Sequence, residues 1–175
     1  ARIPPLPDQV MSDAKPQADY ARFDGAAEFQ QAVDRLLAQD GRELGIFDPD
    51  LGALKLNEPS RVALLEAFLR TSRTRRLQVA VHDTDHLTKH CPRMMELLRR
   101  FNHAIQIHRT HQEIRSVQDA FLVLDANHYV RRPVATFLRG AIGLNDETDA
   151  LAMRARFREI WAASYPAVSS ATSGL

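Results

Sequence analysis

The chain has 175 residues, and its 23 lysines and arginines nearly balance 22 aspartates and glutamates, for a formal net charge of +1. That balance gives no general argument for a nucleic-acid or membrane partner. The single cysteine, Cys91, excludes an intramolecular disulfide, and no apolar run approaches the roughly 18 residues of a membrane span. We therefore expect one globular domain without a membrane span, located by default in the cytoplasm.

The two ends of the chain differ in composition from its middle. Residues 1–21 contain four prolines among scattered polar residues, and residues 165–175 contain Pro166 followed by serine, threonine and glycine. Segments of this kind bury too little apolar surface to fold by themselves. We expect a flexible N-terminal arm at 1–21, a single α/β domain at 22–164 and a flexible tail at 165–175.

Helical and strand patterns alternate in the first half of the folded region. Apolar residues at helical spacing, preceded by capping or proline signals, predict helices that start near Asp24, near Asn57 or Ser60, and at Pro92. Short apolar runs predict strands at 44–47, 77–81 and 104–108. The resulting α-β-α-β-α-β order favours parallel strands joined by right-handed crossovers.

Hairpin signals replace this alternation in the second half. Strand patterns at 120–124 and 128–131 flank a tight turn at Ala126-Asn127, another strand follows at 139–144, and a last helix begins near Glu147. Hairpins add antiparallel strands to the sheet. The predicted fold class is therefore α/β, with a mixed, mainly parallel sheet flanked by helices.

Three segments of this second half resemble the phospholipase D superfamily. Phe121–Asp125 is similar to the strand that ends the superfamily's HxK(x)4D motif, Arg139–Gly143 to the strand that follows it, and Phe157–Trp161 to the last helix of a repeat. The element order over 25–164 also resembles one such repeat, which implies a phospholipase D-like fold. Family members with one repeat commonly pair two copies across the cleft, so the resemblance implies a homodimer.

The same alignment implies that the catalytic motif is degenerate. With Asp125 on the motif's aspartate, Gln118 stands at the histidine and Ala120 at the lysine. In the family the histidine attacks phosphorus and the lysine helps to neutralise the phosphate, which glutamine and alanine cannot do. We therefore expect no phosphodiesterase activity and assign no catalytic residue.

A second resemblance is to a proteobacterial family of uncharacterised domains, some of which are labelled acetyltransferases. The shared patterns are FDPD at 47–50, the segment HDTDHL at 82–87 and the terminal Gly174-Leu175. The chain lacks a strand–Q/RxxGxG/A–helix segment that would hold the pyrophosphate of acetyl-CoA. The acetyltransferase label therefore does not fit, and we expect no cofactor.

Polar residues cluster where two predicted parallel strands end, and these candidates are Asp48, Asp50, His82, Asp83, Asp85 and His86. Since ligands bind beyond the carboxyl ends of the strands in open α/β sheets, the cluster predicts one ligand crevice. His82, Asp85 and His86 are also weak candidates for a metal site. Aspartates in such segments are equally typical of turns and helix caps, so both interpretations stay open.

Arginines mark two further candidate sites. Arg73, Arg75 and Arg76 lie in one loop and could contact phosphates, although a solvated helix end explains them equally well. Arg131 follows the strand next to Asp125, and this region borders the cleft of the related fold. An Arg131–Asp125 or Arg109–Asp48 pair would be either a structural ion pair or an anion site.

Three functions follow from these observations. The first is a non-catalytic phospholipase D-like binding or regulatory domain whose ligand could be an anion. The second is a metal- or acid/base-dependent hydrolase that uses the segment from His82 to His86. The third is a nucleic-acid-binding module that acts through the loop at 70–76.

Overall fold

The computed structural model describes residues 16–170, which form one eight-stranded sheet flanked by five α-helices. The strands are β1 Asp19–Asp24, β2 Glu43–Asp48, β3 Arg76–Val81, β4 Ile105–Thr110, β5 Ala120–Leu124, β6 His128–Arg132, β7 Arg139–Leu144 and β8 Ser164–Val168. The helices are α1 Ala26–Leu37, α2 Pro59–Arg70, α3 Asp85–His90, α4 Pro92–Arg100 and α5 Glu147–Ala162. No helix in this part of the chain is both long and apolar enough to cross a membrane.

The strand order across the sheet is β1-β7-β6-β5-β2-β3-β4-β8. β2, β3 and β4 run parallel to one another, whereas every other neighbouring pair in the described sheet is antiparallel. The α/β class and the predicted order of elements are confirmed. The expectation of a mainly parallel sheet is corrected, because the hairpin strands and both edge strands pair in the antiparallel direction.

Helices cover both faces of the sheet. The first four helices pack on one face and bury a large apolar core that includes Phe29, Leu36, Leu65, Leu87 and Leu97. α5 packs on the other face, and its side chains meet the strands in a smaller core that includes Phe47, Phe121, Phe157 and Ile160. Because each large buried apolar side chain contributes about 1.5–3 kcal/mol, these two cores hold the sheet between its helical layers.

Two edge strands extend the fold beyond the predicted boundaries. β1 includes residues 19–21 of the predicted arm, and β8 includes residues 165–168 of the predicted tail. Both escaped prediction because edge strands bury few side chains, and an edge tolerates Pro166, which lacks an N–H. The remaining parts of the predicted arm and tail, residues 1–15 and 171–175, lie outside the described residues.

Two helix starts are capped differently from the sequence expectation. α1 begins after Gly25, and the Glu28 carboxylate accepts a hydrogen bond from the Asp24 backbone N–H at 2.9 Å. Asn57 does not cap α2, since its side-chain oxygen accepts from the backbone N–H of Arg93 at 3.0 Å, in the first turn of α4. Asn57 therefore ties the start of α4 to the segment before α2, a tertiary contact that local sequence cannot specify.

Candidate functional site

A buried ion pair lies at the carboxyl end of β2. Asp48 pairs with the guanidinium of Arg132, the last residue of β6, and each side chain is only 3% exposed. Asp48 also accepts hydrogen bonds from the backbone N–H groups of Asp50 at 3.1 Å and Leu51 at 2.7 Å. Burial raises the pKa of the Asp48 carboxyl, while Arg132 and the two N–H groups oppose that rise. Asp48 is thus enclosed by its own partners and is not open to a ligand.

The ion pair flanks the position at which the phospholipase D alignment expects a lysine. Ala120, the first residue of β5, is the cross-strand partner of Arg132 on β6. The next residue, Phe121, pairs with Phe47 on β2, which places Ala120 beside Asp48 on its other side. Arg132 therefore brings a cation next to Ala120, but the charge of Asp48 balances it.

The loop between β6 and β7 is hydrogen-bonded to the position aligned with the catalytic histidine, whose side chain is exposed. The backbone carbonyl of Gln118 accepts a hydrogen bond from the Ala135 N–H at 2.7 Å, and Arg132 donates to the Ala135 carbonyl at 2.6 Å. Val134 and Phe137 of the same loop are 38% and 53% exposed. The position aligned with the catalytic histidine therefore borders an exposed apolar loop.

His82 bridges the last residue of β4 and the segment that follows this strand. Its Nε2 lies 2.8 Å from the carbonyl oxygen of Val117, and its Nδ1 lies 2.6 Å from the Thr110 hydroxyl. A carbonyl can only accept, so Nε2 donates to Val117, and Nδ1 forms a hydrogen bond with the buried Thr110 hydroxyl. Both ring nitrogens of His82 are therefore used for structure.

The other residues of the predicted crevice form local turns. Asp50 accepts from the Gly52 N–H and Asp83 from the Asp85 N–H, both at 2.8 Å, as turn-forming aspartates do. Asp85 forms an ion pair with Lys89 at 3.7 Å along α3.

His86 lies apart from them in a pocket of about 260 Å³, which is lined also by Gly52, Lys55, Asn57, Glu58, His90 and Arg93. No group of three His, Cys, Asp or Glu residues within 16–170 is placed to hold a metal ion. The predicted metal candidates His82, Asp85 and His86 are thus not brought together.

Asp125 and Arg131 do not meet. Asp125 has a left-handed φ of 52° in the β5–β6 turn, and its carboxylate accepts from the backbone N–H groups of Arg42 at 3.0 Å and Glu43 at 2.8 Å. Because β5 is antiparallel to β2, this turn lies at the start of β2, at the opposite end from Asp48. Arg131 and Asp125 therefore do not form the pair that the sequence analysis considered, and Arg131 lies 3.6 Å from Asp119 instead.

The predicted Arg109–Asp48 pair is also absent from the described residues. Arg109 donates to the carbonyl of His82 at 2.9 Å, and Asp48 is occupied by Arg132. Arg109 and Arg132 therefore both stabilise loops at this edge of the sheet.

The basic loop between α2 and β3 is largely structural. Arg75 is buried, donates to the Gly41 carbonyl and to the Asp40 carboxylate at 2.7 Å, and lies over the Phe68 ring. Arg76 donates to the carbonyls of Arg73 and Arg75, both at 2.8 Å. Of the three predicted phosphate contacts, only the exposed Arg73 side chain is left for a ligand.

A groove that the sequence analysis did not find lies over β1, β7 and β6, beside α5, and has a volume of about 660 Å³. Its floor has two rows of cross-strand neighbours, Tyr20–Gly143–Tyr129 and Arg22–Ala141–Arg131. Small residues on the middle strand leave room between larger ones on both sides. A Cβ on Gly143 would lie 2.3 Å from the Tyr129 ring, so only glycine lets that ring lie across β7.

The far wall of this groove comes from α5. Asp149, Ala152 and Met153 line it, and the Tyr129 hydroxyl donates to the Asp149 carboxylate at 3.0 Å. Burial is the largest cause that raises the pKa of Tyr129, and the hydrogen bond to Asp149 adds to the rise. The repeated Tyr-x-Arg at 20–22 and 129–131 was visible in the sequence, but its meaning depends on the strand register.

Comparison with known proteins gives a family without an assigned activity. The profile of the family described as "Domain of unknown function (DUF7931)" matches residues 25–169, which extend from before α1 through β8. No curated protein matches the sequence.

Solved structures share the fold at very low sequence identity. TrmBL2, whose report describes an archaeal chromatin protein with a novel mode of DNA binding, has a TM-score of 0.59 and 10% identity over 85% of this chain and 54% of its own. NucT from Helicobacter pylori has a TM-score of 0.53 and 7% identity, covering 86% of this chain and 100% of its own. Nuc from Salmonella typhimurium, a phospholipase D family member, has a TM-score of 0.54 and 9% identity, covering 87% and 100%.

These similarities concern the fold alone. They confirm the expected phospholipase D-like architecture. The chain spans about half the length of TrmBL2, at 54% of that protein.

Proposed function

We propose that this chain, a member of the family described as "Domain of unknown function (DUF7931)", is a non-catalytic binding or regulatory domain built on a single, degenerate phospholipase D-like repeat. The observation that carries the proposal is the chemistry at the two aligned catalytic positions. Gln118 cannot act as the nucleophile, and Ala120 carries no charge for a phosphate.

The surroundings of Ala120 support the same conclusion. Its cross-strand neighbour Arg132 is buried against Asp48 and is 3% exposed, so this cation is not free to bind a phosphate. Opening that pair to a substrate would leave a buried charge without a partner, which costs several kcal/mol. A phosphodiester at this place would therefore meet neither a nucleophile nor an available positive charge.

A hydrolysis assay tests the proposal. Purified full chain is incubated with bis(4-nitrophenyl) phosphate and with labelled single-stranded DNA, and we expect no turnover above buffer. Turnover that remains in Gln118→Ala but is lost in both His82→Gln and Asp83→Asn would overturn the proposal. It would support instead the hydrolase alternative that uses the segment from His82 to His86. Circular dichroism of each variant separates loss of activity from loss of folding.

The proposal includes a homodimer that pairs around the former catalytic positions. Val134 and Phe137 support it, because they are exposed apolar side chains on the loop that is hydrogen-bonded to Gln118. Light scattering at micromolar concentration tests it: we expect a dimer mass that Phe137→Ser reduces to that of the monomer. Leu151→Ser is the matched control, because Leu151 is 61% exposed on α5 and lies outside this loop. A monomeric mass for the unmodified chain would end the dimer proposal.

Nucleic-acid binding is the other candidate function. The observation in its favour is the exposed side chain of Arg73, which makes no hydrogen bond or ion pair within residues 16–170, although the neighbouring Arg75 is buried and engaged. Salt-dependent binding of labelled DNA or RNA that falls in Arg73→Ala would support it, since phosphate contacts release counterions. The absence of binding at low salt would reject it.

A further inference from the structure

Three arginines line the groove over β1, β7 and β6. Arg139 lies over the Phe137 ring, whereas the rest of the protein leaves Arg22 and Arg131 underused. Arg22 and Arg131 are both cross-strand neighbours of Ala141, on opposite sides of it, so all three side chains project from the same face of the sheet. Strands lie about 4.8 Å apart, which places the two arginine backbones about 10 Å from each other. Two long side chains at that separation can reach one anion above the short side chain between them.

The hydrogen-bonding state of these arginines points to a missing partner. The side chain of Arg22 is exposed and makes no hydrogen bond or ion pair within residues 16–170. The Nε atom of Arg131 is buried and has no hydrogen-bond partner. Among the buried side-chain nitrogen and oxygen atoms of residues 16–170, it alone lacks one. Its nearest carboxylate, Asp119, is already held by Arg156 through bonds of 3.0 and 2.6 Å, whereas Arg131 lies 3.6 Å away. A guanidinium in this state retains donors for a carboxylate or phosphate.

Between its charged residues the groove is mainly apolar, and it has the right size for a small molecule. Its volume of about 660 Å³ lies within the range of about 300–1,000 Å³ that is typical of ligand pockets. Ala152 and Met153 of α5 and Tyr20 of β1 form its walls around Ala141. A body the size of one ring system fits against these side chains.

The acidic residues at the rim limit the charge of the ligand. Asp24, Glu28 and Asp149 line the same groove as the arginines, so the positive charge is local and does not form a continuous track. A nucleic-acid strand, which needs successive phosphate contacts, does not match this pattern. A small ligand with one anionic group on an otherwise apolar body does match this pattern of charges.

We infer that this groove binds a small organic anion, with its carboxylate or phosphate held between Arg22 and Arg131 and its flat apolar body resting on Ala141 against α5. Two sources share this chemistry, an aromatic carboxylate and a nucleoside monophosphate. The groove lies on the opposite face of the sheet from the side chain of Ala120, because Arg131 pairs with Phe121 and successive side chains of a strand alternate between the two faces. Phosphodiesterase activity in the chain would therefore overturn the proposed function and leave this site untouched.

Titration of the 15N-labelled full chain, followed by amide chemical shifts, tests the site with four probes. These are 2-naphthoate, AMP, adenosine and inorganic phosphate. We expect naphthoate or AMP to shift the amides of Ala141, Gly143 and Met153, and whichever of the two binds identifies the source. Adenosine and inorganic phosphate should each bind at least about tenfold more weakly than AMP, because each lacks one half of the recognition. Equal binding by inorganic phosphate, or shifts confined to other residues, would overturn the inference.

Variants decide whether the two arginines act together. Arg22→Ala and Arg131→Gln should each weaken binding by about tenfold or more, since a hydrogen bond to a charged group contributes about 1.5–3 kcal/mol. Ala141→Leu should block it by filling the floor. Arg158→Ala, which removes an exposed arginine of α5 that lines a different pocket, is the matched control. Since Arg22 is exposed on an edge strand, unchanged affinity in Arg22→Ala would reject the inference without any question of folding.

Discussion

Arg132 reaches Asp48 past the small side chain of Ala120, so that strands β6 and β2 are linked by an ion pair across the strand between them. The pair is buried, and removing one partner leaves the other charged and unpaired. We expect Arg132→Met to lower the free energy of unfolding by about 3–5 kcal/mol. The double variant Arg132→Met with Asp48→Asn should recover much of this loss, because an amide oxygen can still accept from the N–H groups of Asp50 and Leu51. Urea unfolding of the parent, the two single variants and the double variant measures the coupling free energy between Asp48 and Arg132.

An exposed pair provides the control for that cycle. Arg35 and Asp19 form an ion pair at 2.5 Å, but their side chains are 46% and 54% exposed. Arg35→Met should therefore cost no more than about 1 kcal/mol. If Arg132→Met costs no more than this control, the buried pair does not hold β2 and β6 together.

Gly140 is placed where a side chain cannot enter. A Cβ at this position would lie 1.8 Å from the backbone carbonyl oxygen of Arg131 and 3.0 Å from the Phe23 ring. The first of these contacts is with backbone, so relief requires β6 and β7 to move apart. Gly140→Ala should therefore destabilise the protein by about 3 kcal/mol, at the upper end of the cost of overpacking.

Gly52→Ala is the matched comparison for Gly140→Ala. Its nearest contact would be the Asp50 carboxylate at 3.2 Å, which belongs to a flexible side chain. Thermal unfolding should show that Gly52→Ala lowers the free energy of unfolding by less than about 1 kcal/mol. Equal effects of the two substitutions would mean that the β6–β7 spacing near Arg131 is not as tight as the structure has it.

The sequence was a good guide to the central elements and a poor one to the edges. The continuous apolar runs at β3 and β5 and the helical spacing of α1, α2 and α4 predicted these elements, because burial imposes a strong pattern on them. β1 has one buried residue, Phe23, and its only described partner, β7, lies more than 110 residues further along the chain. No local sequence pattern can predict a pairing between strands so far apart in the chain.

The candidate site was predictable in its residue types but not in its contacts. His82 and Asp48 do lie at the ends of neighbouring parallel strands, as expected. Their partners are Thr110, Val117 and Arg132, which follow 28 to 84 residues later and become neighbours only in the folded chain. The spacing of polar residues therefore located one edge of the sheet. The hydrogen-bond partner of each polar group, however, is determined by the tertiary fold.

The stability of the protein should decrease in mildly acidic solution because of His128. The side chain is buried, its Nδ1 accepts from the Asn145 N–H at 2.9 Å, and burial lowers its pKa, although the charge of Asp125 opposes the shift. The unfolded chain then binds the proton more tightly than the folded one. This contribution to stability is complete above the unfolded pKa of about 6.5 and is lost as the pH falls through the lower folded pKa.

Urea unfolding at a series of pH values between 8 and 5 checks this pH dependence. His128→Gln should flatten part of the decrease, while His103→Gln, which changes an exposed histidine, should leave the slope as it is. Part of the slope should remain in His128→Gln, since burial also lowers the pKa of His108. A slope that is the same in all three proteins would exclude His128 as its source.

Restoring the lysine of the phospholipase D motif should be much harder than restoring its histidine. Ala120 is 2% exposed between Asp48 and Arg132, so Ala120→Lys brings a second cation to a single buried carboxylate. We expect a loss of about 3–5 kcal/mol, the cost of a buried charge without a partner. Gln118→His changes an exposed side chain and should cost less than about 1 kcal/mol. Combining Ala120→Lys with Arg132→Ala leaves one cation for Asp48 and should recover part of the stability. If Ala120→Lys alone unfolds at the same urea concentration as the parent, the ion pair does not occupy the space of the missing lysine, and the closed state of the former site needs another explanation.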